Sequence, residues 1–262
     1  MDAFTLFKCP QFLDNAIAPP AKEIGTTLGN IFYLVFSPIN YNVEKLRHKH
    51  AENLKKYEES IEAALSKIPE DKLIEPKLEI VGPIMDASKF YIENEELRNM
   101  FSRLLAASLN SDYINIIHPS FVDIIKQLSP QDASNLQVIS VNNLLPVAAI
   151  QWNAKDRGYI QVLTHLFISN PSYTDLGSQA SSISNLCRLG LIEAQYTPLK
   201  DDVRYNDFET HPEYLELKTE FENEIQSNPE FPYATIQLVK GGIKKTPFGE
   251  DFIKVCITEN SI

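Results

Sequence analysis

The sequence predicts a mainly α protein. An N-terminal antiparallel helical bundle over residues 19–138 precedes an α+β portion over 139–262, which carries an acidic helical insertion at 201–230. Three observations lead there. Apolar residues recur at helical spacing through the first half of the chain. Helix start signals cluster between residues 94 and 132. After about residue 140, short β-branched and aromatic runs replace the long helical periods.

Residues 1–18 lack a period and read as an arm. Pro19 and Pro20 open a helix that runs through Phe36 and stops near Pro38. From Val43, the positions Val43, Leu46, His50, Leu54, Tyr57, Ile61, Ala64 and Ile68 step by three and four. They form the seam of a long amphipathic helix, which pairs within the chain or between two copies. Pro69 and Pro76 bracket a linker. The next helix carries Val81, Ile84, Met85, Ser88 and Ile92 on one face, and Gly82-Pro83 starts or kinks it.

Between 94 and 132, Leu97, Met100, Phe101, Leu104, Leu105 and Leu109 mark a buried helix face. Ser120 precedes Asp123 by three, and Ser129 precedes Asp132 by three, the spacing of capping boxes. Five or six helices with short connections imply antiparallel neighbours.

LLPVAAIQW and YIQVLTHLFI, separated by a DRG turn, read as a hairpin or as one strand and a helix. Thr174 caps a helix with Leu176, Ala180, Ile183, Leu186 and Cys187 on its apolar face, and Gly190 ends it. LIEAQY is a strand. In the insertion, Tyr214, Leu217, Phe221 and Ile225 space out a further helix. ATIQLV returns as a strand, Gly241-Gly242 reads as a turn, and Thr246-Pro247 caps a last helix through Cys256. SNLCRLGLIEA followed by KKTPFGEDFIKVC resembles the two halves of a winged helix, so the α+β portion is expected to be winged-helix-like.

The net charge of −11 and pI near 5.0 argue against the basic footprint of a nucleic-acid binder. The charge is concentrated: residues 201–230 hold ten acidic residues against Arg204 and Lys218. Cys9, Cys187 and Cys256 are an odd, sparse set that reads as buried free thiols in a reducing cytosol. The N-terminus shows no secretory pattern. Residues 24–43 carry no charge, and Gly25 and Gly29 form a G-x-x-x-G. The polar Thr26, Thr27, Asn30, Ser37, Asn40 and Asn42 make this a buried bundle helix rather than a membrane segment.

No phosphate-binding, dinucleotide, zinc-protease or nucleophile-elbow motif is present. The five histidines are scattered, and no cysteine pair has zinc spacing. His118 before Pro119 reads as a helix-start residue. Asp201 and Asp202 read as an exposed acidic loop before a cation site. No catalytic, cofactor or metal residue is predicted. On the helix from Thr174 to Gly190, Gln179, Ser182, Asn185 and Arg188 are candidate contacts to a partner or to DNA bases, with Lys244 and Lys245 in the wing. Their poor capacity to neutralise phosphate favours a protein partner.

Several stretches together resemble the bacterial abortive-infection alpha family. They are PAKEIGTTLGNIFYLVFSPINYNVEKLR, IEPKLEIVGPIMDASKFYIENEELRNMFSRLLAASLN and HPSFVDIIKQLSPQDA, with a weaker echo in TPFGEDFIKVC. The resemblance implies a role in bacterial defence against phage, in a cytosolic or membrane-proximal setting. It implies no active-site residues. The expected function is therefore a non-enzymatic interaction protein that binds another protein through its acidic surface. The alternatives are a membrane-acting effector using residues 24–43 and a winged-helix DNA-binding regulator.

Overall fold

The structure is a computed structural model that describes residues 9–37, 44–200 and 202–258; of residues 44–48 and 202 only the backbone is described. The chain forms two compact units. One comprises the chain up to Pro130 together with the chain from Asp251, and the other runs from Gln131 to Glu250.

In the first unit, α1 (Pro19–Phe36) starts at its proline pair, as the missing N–H of a first-turn proline allows. Its buried stripe is Ala21, Ile24, Gly25, Leu28, Gly29, Phe32 and Phe36. Phe12 and Leu13 of the arm are buried as well. Phe32 stacks on Phe36 at 4.4 Å between centroids, and Phe12 meets Phe32 edge-on at 5.8 Å. Glu70 accepts the N–H groups of Ile17 and Ala18, each at 2.7 Å, where the orphan donors of a helix start need acceptors.

Leu54, Tyr57, Ile61 and Ile68 of the long seam are buried, Leu65 is buried where the seam had Ala64, which is half-buried, and α2 (Glu44–Leu65) packs on α4 (Glu95–Ala107). This length of the seam pairs within the chain; Val43 lies outside the described residues. Between them, α3 (Leu78–Ser88) holds Pro83 inside it and buries Val81, Ile84, Met85 and Ser88. The Asn94 side chain caps α4 by accepting from Leu97 N at 2.9 Å. On α5 (Ser120–Lys126) the expected serine cap is absent, because Ser120 is already the first helical residue, with Pro119 at the N-cap, and its Oγ lies 2.7 Å from His118 Nδ1. Phe121 packs edge-on against Phe252 at 5.2 Å, which secures α10 (Pro247–Cys256) from Asp251 onward.

The second unit begins with α6 (Pro130–Ser140) and contains a four-stranded antiparallel sheet in the order β2-β1-β4-β3. β1 (Leu145–Ala154) and β2 (Tyr159–Leu166) form the hairpin. α7 (Leu176–Arg188) follows and ends at Gly190, whose φ of +73° is the left-handed turn glycine allows. β3 (Ile192–Gln195) pairs with the C-terminal part of β4 (Tyr233–Lys245). The insertion between them holds α8 (Asn206–Glu209) and α9 (Pro212–Ser227).

The sheet corrects the expected fold class. The chain is about 53% helical and has a curled four-stranded sheet, so it is a mixed α and β protein and not mainly α. The misreading traces largely to β4. Gly241 and Gly242 make no turn; they lie inside a 13-residue strand that pairs with β1 from Tyr233 to Ile243. Close approach of backbone requires glycine at 241, whereas the neighbour at 242 is a side-chain methyl that can move. A Cβ on Gly241 would sit 2.6 Å from Gln195 O, and one on Gly242 would sit 2.7 Å from a Leu199 methyl.

Candidate functional site

The insertion covers one face of the sheet. Tyr205 and Phe208 join Ala148, Ile150, Leu166 and Leu176 in a buried cluster. The Tyr205 hydroxyl donates to Gly241 O at 2.8 Å and accepts from Leu199 N at 2.9 Å. Phe221 of α9 packs with Trp152 and Phe231 at 5.3 and 5.6 Å between centroids. Glu213 accepts the Leu176 N–H at 3.1 Å, and Asp175 accepts from Ser178 N at 2.6 Å. Two carboxylates thus meet the N-terminus of α7, where the helix dipole favours negative charge. The cap is Asp175, one residue beyond the expected Thr174.

Beyond these anchors α9 is exposed. Phe221 is the only residue it buries fully. Glu216, Glu220, Glu222 and Glu224 face solvent, and among the described residues no lysine or arginine forms an ion pair with any of them. Leu215 and Ile225 on the same helix are 46% and 40% exposed.

The candidate contacts on α7 are built into a polar network. Gln179 is fully buried; its Oε1 accepts from Asn135 Nδ2 at 2.7 Å, and its Nε2 donates to Tyr173 O at 3.0 Å. Ser182 is buried too and accepts from Asn135 at 2.9 Å. Asn185 donates to Asp132 Oδ2 at 3.0 Å and accepts from Arg188 Nη2 at 2.7 Å. Arg188 is exposed. On β4, Lys244 pairs with Glu193 at 3.2 Å and Lys245 donates to Ser140 O at 3.1 Å. Sequence reasoning missed Asn135 and Asn170. The available signal was the three-residue step from Asp132 to Asn135, which puts both on one side of α6.

The reactive groups are quiet. His165 has a φ of +58° at a β-bulge, where Thr164 and His165 stand opposite Ala149. Its Nδ1 lies 2.9 Å from Ser184 Oγ, but that hydroxyl donates to Ala180 O at 2.7 Å. The shared proton therefore sits on the ring, and the serine is not activated. Burial pushes the His165 pKa down and the Cys187 thiol up, away from thiolate. Cys256 is buried, whereas Cys9 is exposed, contrary to expectation. His118 is exposed and bonded to Ser120 at 2.7 Å. Asp201 and the Asp202 side chain lie outside the described residues. Among the described residues no three His, Cys, Asp or Glu side chains gather as a metal-binding set.

No helix among the described residues is long and apolar enough to cross a membrane. The G-x-x-x-G face is occupied by the chain's own arm: a Cβ on Gly25 would meet Phe12 O at 1.9 Å, and one on Gly29 would meet Pro10 O at 2.1 Å.

These features define a mixed α and β protein of two units, with a row of exposed glutamates on α9 that no described lysine or arginine pairs. It belongs to the abortive infection alpha family, whose model matches residues 49–256. The family places it in abortive infection, the defence of bacteria against phage. The match begins after the first of the stretches that carry the resemblance in sequence, Pro20 to Arg47. No curated protein and no solved structure matches the chain.

Proposed function

We propose that the chain acts in phage defence as an interaction protein, and that the exposed side of α9 docks on a basic surface of a partner protein. One observation carries this reading: the unpaired acidic stripe of α9. Glu216, Glu220 and Glu224 step by four, so like charges neighbour one another along the helix. Such pairs destabilise a helix by a few tenths of a kcal/mol each, roughly 0.2–0.5. A cationic partner surface would relieve that repulsion, and exposed Leu215 and Ile225 would add apolar contact.

The test replaces Glu216, Glu220 and Glu224 together by glutamine. These side chains support nothing inside the protein, so the variant should fold, as circular dichroism would check. Cells carrying it should lose protection against a phage that the wild type restricts, read as plaque counts. Full protection by the folded triple variant would remove α9 from the function.

A further inference from the structure

The arm doubles back along the helix it leads into. Phe12 lies over Gly25 and Pro10 over Gly29, one helical turn further on. Phe12 and Leu13 are buried, and Leu13 N donates to Glu62 Oε2 on α2 at 3.1 Å. Cys9 Sγ lies 3.5 Å from Asn30 Oδ1 on α1. These contacts run from residues 9–13 to α1 and α2, and none of them involves the connection between arm and helix. The same segment of a second copy would make them equally well.

That connection is strained and exposed. Leu13 has a φ of +56°, in the left-handed region that a residue with a Cβ enters only where its surroundings hold it there. Ala16 N closes a turn onto Leu13 O at 3.0 Å, and Asp14 and Asn15 inside the turn face solvent. Glu70 already fixes the N–H groups of Ile17 and Ala18 at the start of α1. Only Asp14, Asn15 and Ala16 need straighten, which gives a reach of about 10 Å at roughly 3.3–3.6 Å per residue. A short connection under strain favours exchange of the element it carries between copies.

We propose that two copies of this chain exchange arms, so that residues 9–13 of one seat on the Gly25 and Gly29 face of α1 in the other and Leu13 relaxes to extended backbone. The fit names the occupant. The two glycines admit a close backbone, and Glu62 beside them accepts a backbone N–H. A partner helix has its interior N–H groups bonded within itself and offers none to that carboxylate. Because closed and exchanged arms make the same contacts, the turn and the protein concentration set the balance between them.

The experiment uses the full chain with Asn30→Cys, oxidised with diamide over a wide range of concentration and run on a non-reducing gel. A closed arm joins Cys9 to the new thiol within one chain and leaves a monomer. Exchanged arms join them between chains and give a covalent dimer. The dimer share should rise with concentration and vanish when Cys9→Ser is added. Leu13→Gly, which adopts a positive φ freely, should weaken association about tenfold or more. Light scattering of the unmodified chain carries the test if no bridge forms, and a dimer that grows with concentration is expected there too. A monomer at every concentration, a covalent dimer that survives Cys9→Ser, or association unchanged in Leu13→Gly would each overturn the exchange.

Discussion

The carbonyl oxygen of Phe12 lies 1.9 Å from the point where a Cβ on Gly25 would stand. The arm therefore reaches α1 only because position 25 lacks a side chain. Since the obstacle is backbone, Gly25→Ala must displace the arm or bend the helix. The overpacking should cost about 1–3 kcal/mol by denaturant titration. It should also open residues 9–18 to limited proteolysis. An alanine variant as stable and as protected as the wild type would show that the arm packs elsewhere.

Tyr57 is fully buried, and among the described residues no hydrogen bond of normal geometry reaches its hydroxyl. Ser88 is the side chain acting on it, yet Ser88 Oγ donates to Met85 O at 2.8 Å. Burial pushes the phenol pKa far up, so the group stays neutral. Removing a poorly satisfied buried hydroxyl recovers its desolvation cost while the ring contacts with Phe32 and Phe36 remain. Tyr57→Phe should therefore stabilise the protein, by about 1 kcal/mol on the scale of such groups. A lower melting temperature would mean that the hydroxyl has a good partner in solution.

Glu58 on α2 is half-buried, and its pKa is raised to about 7, first by burial and then by neighbouring Glu59, with Lys55 opposing. The folded value lies above the unfolded value of 4.5. The protonated folded form is thus fully favoured below 4.5, and that contribution is lost as pH rises to about 7. Glu58→Gln, which cannot ionise, should melt at a temperature that exceeds the wild type's by a margin growing across this window and level above it. A constant margin from pH 4 to 8 would contradict the raised pKa.

Where local chemistry decides structure, the sequence was readable. The proline pair before α1, Gly190 after α7 and Thr246 before α10 act on their own backbone neighbours, and each ends or starts an element as expected: Gly249 N bonds Thr246 Oγ1 at 2.8 Å. The long reach of β4 was not readable, because Gly241 and Gly242 look alike whether a chain turns or another chain presses close. The α7 face was not readable either. Gln179 and Ser182 have the spacing of a solvent-facing polar stripe, and only the position of α6 turns that stripe inward.

That inward stripe gives the sharpest stability test. Asn135 is fully buried and links three partners: it donates to Gln179 Oε1 and Ser182 Oγ and accepts from Asn170 Nδ2 at 2.7 Å. Truncating it strands polar groups on three other residues at once. Each stranded group costs roughly 1–3 kcal/mol, with Gln179 and Asn170 keeping some of their other bonds. Asn135→Ala should therefore destabilise the second unit by about 2–4 kcal/mol, while Asn135→Asp, which can still accept from Asn170 but cannot donate, should cost at least as much. Hydrogen exchange resolves the effect by segment: α6 and α7 should lose protection, and α1 and α3 should keep theirs. Unchanged protection of α7 in Asn135→Ala would mean that the network does not hold the helix, and that Gln179 and Ser182 are free to turn outward.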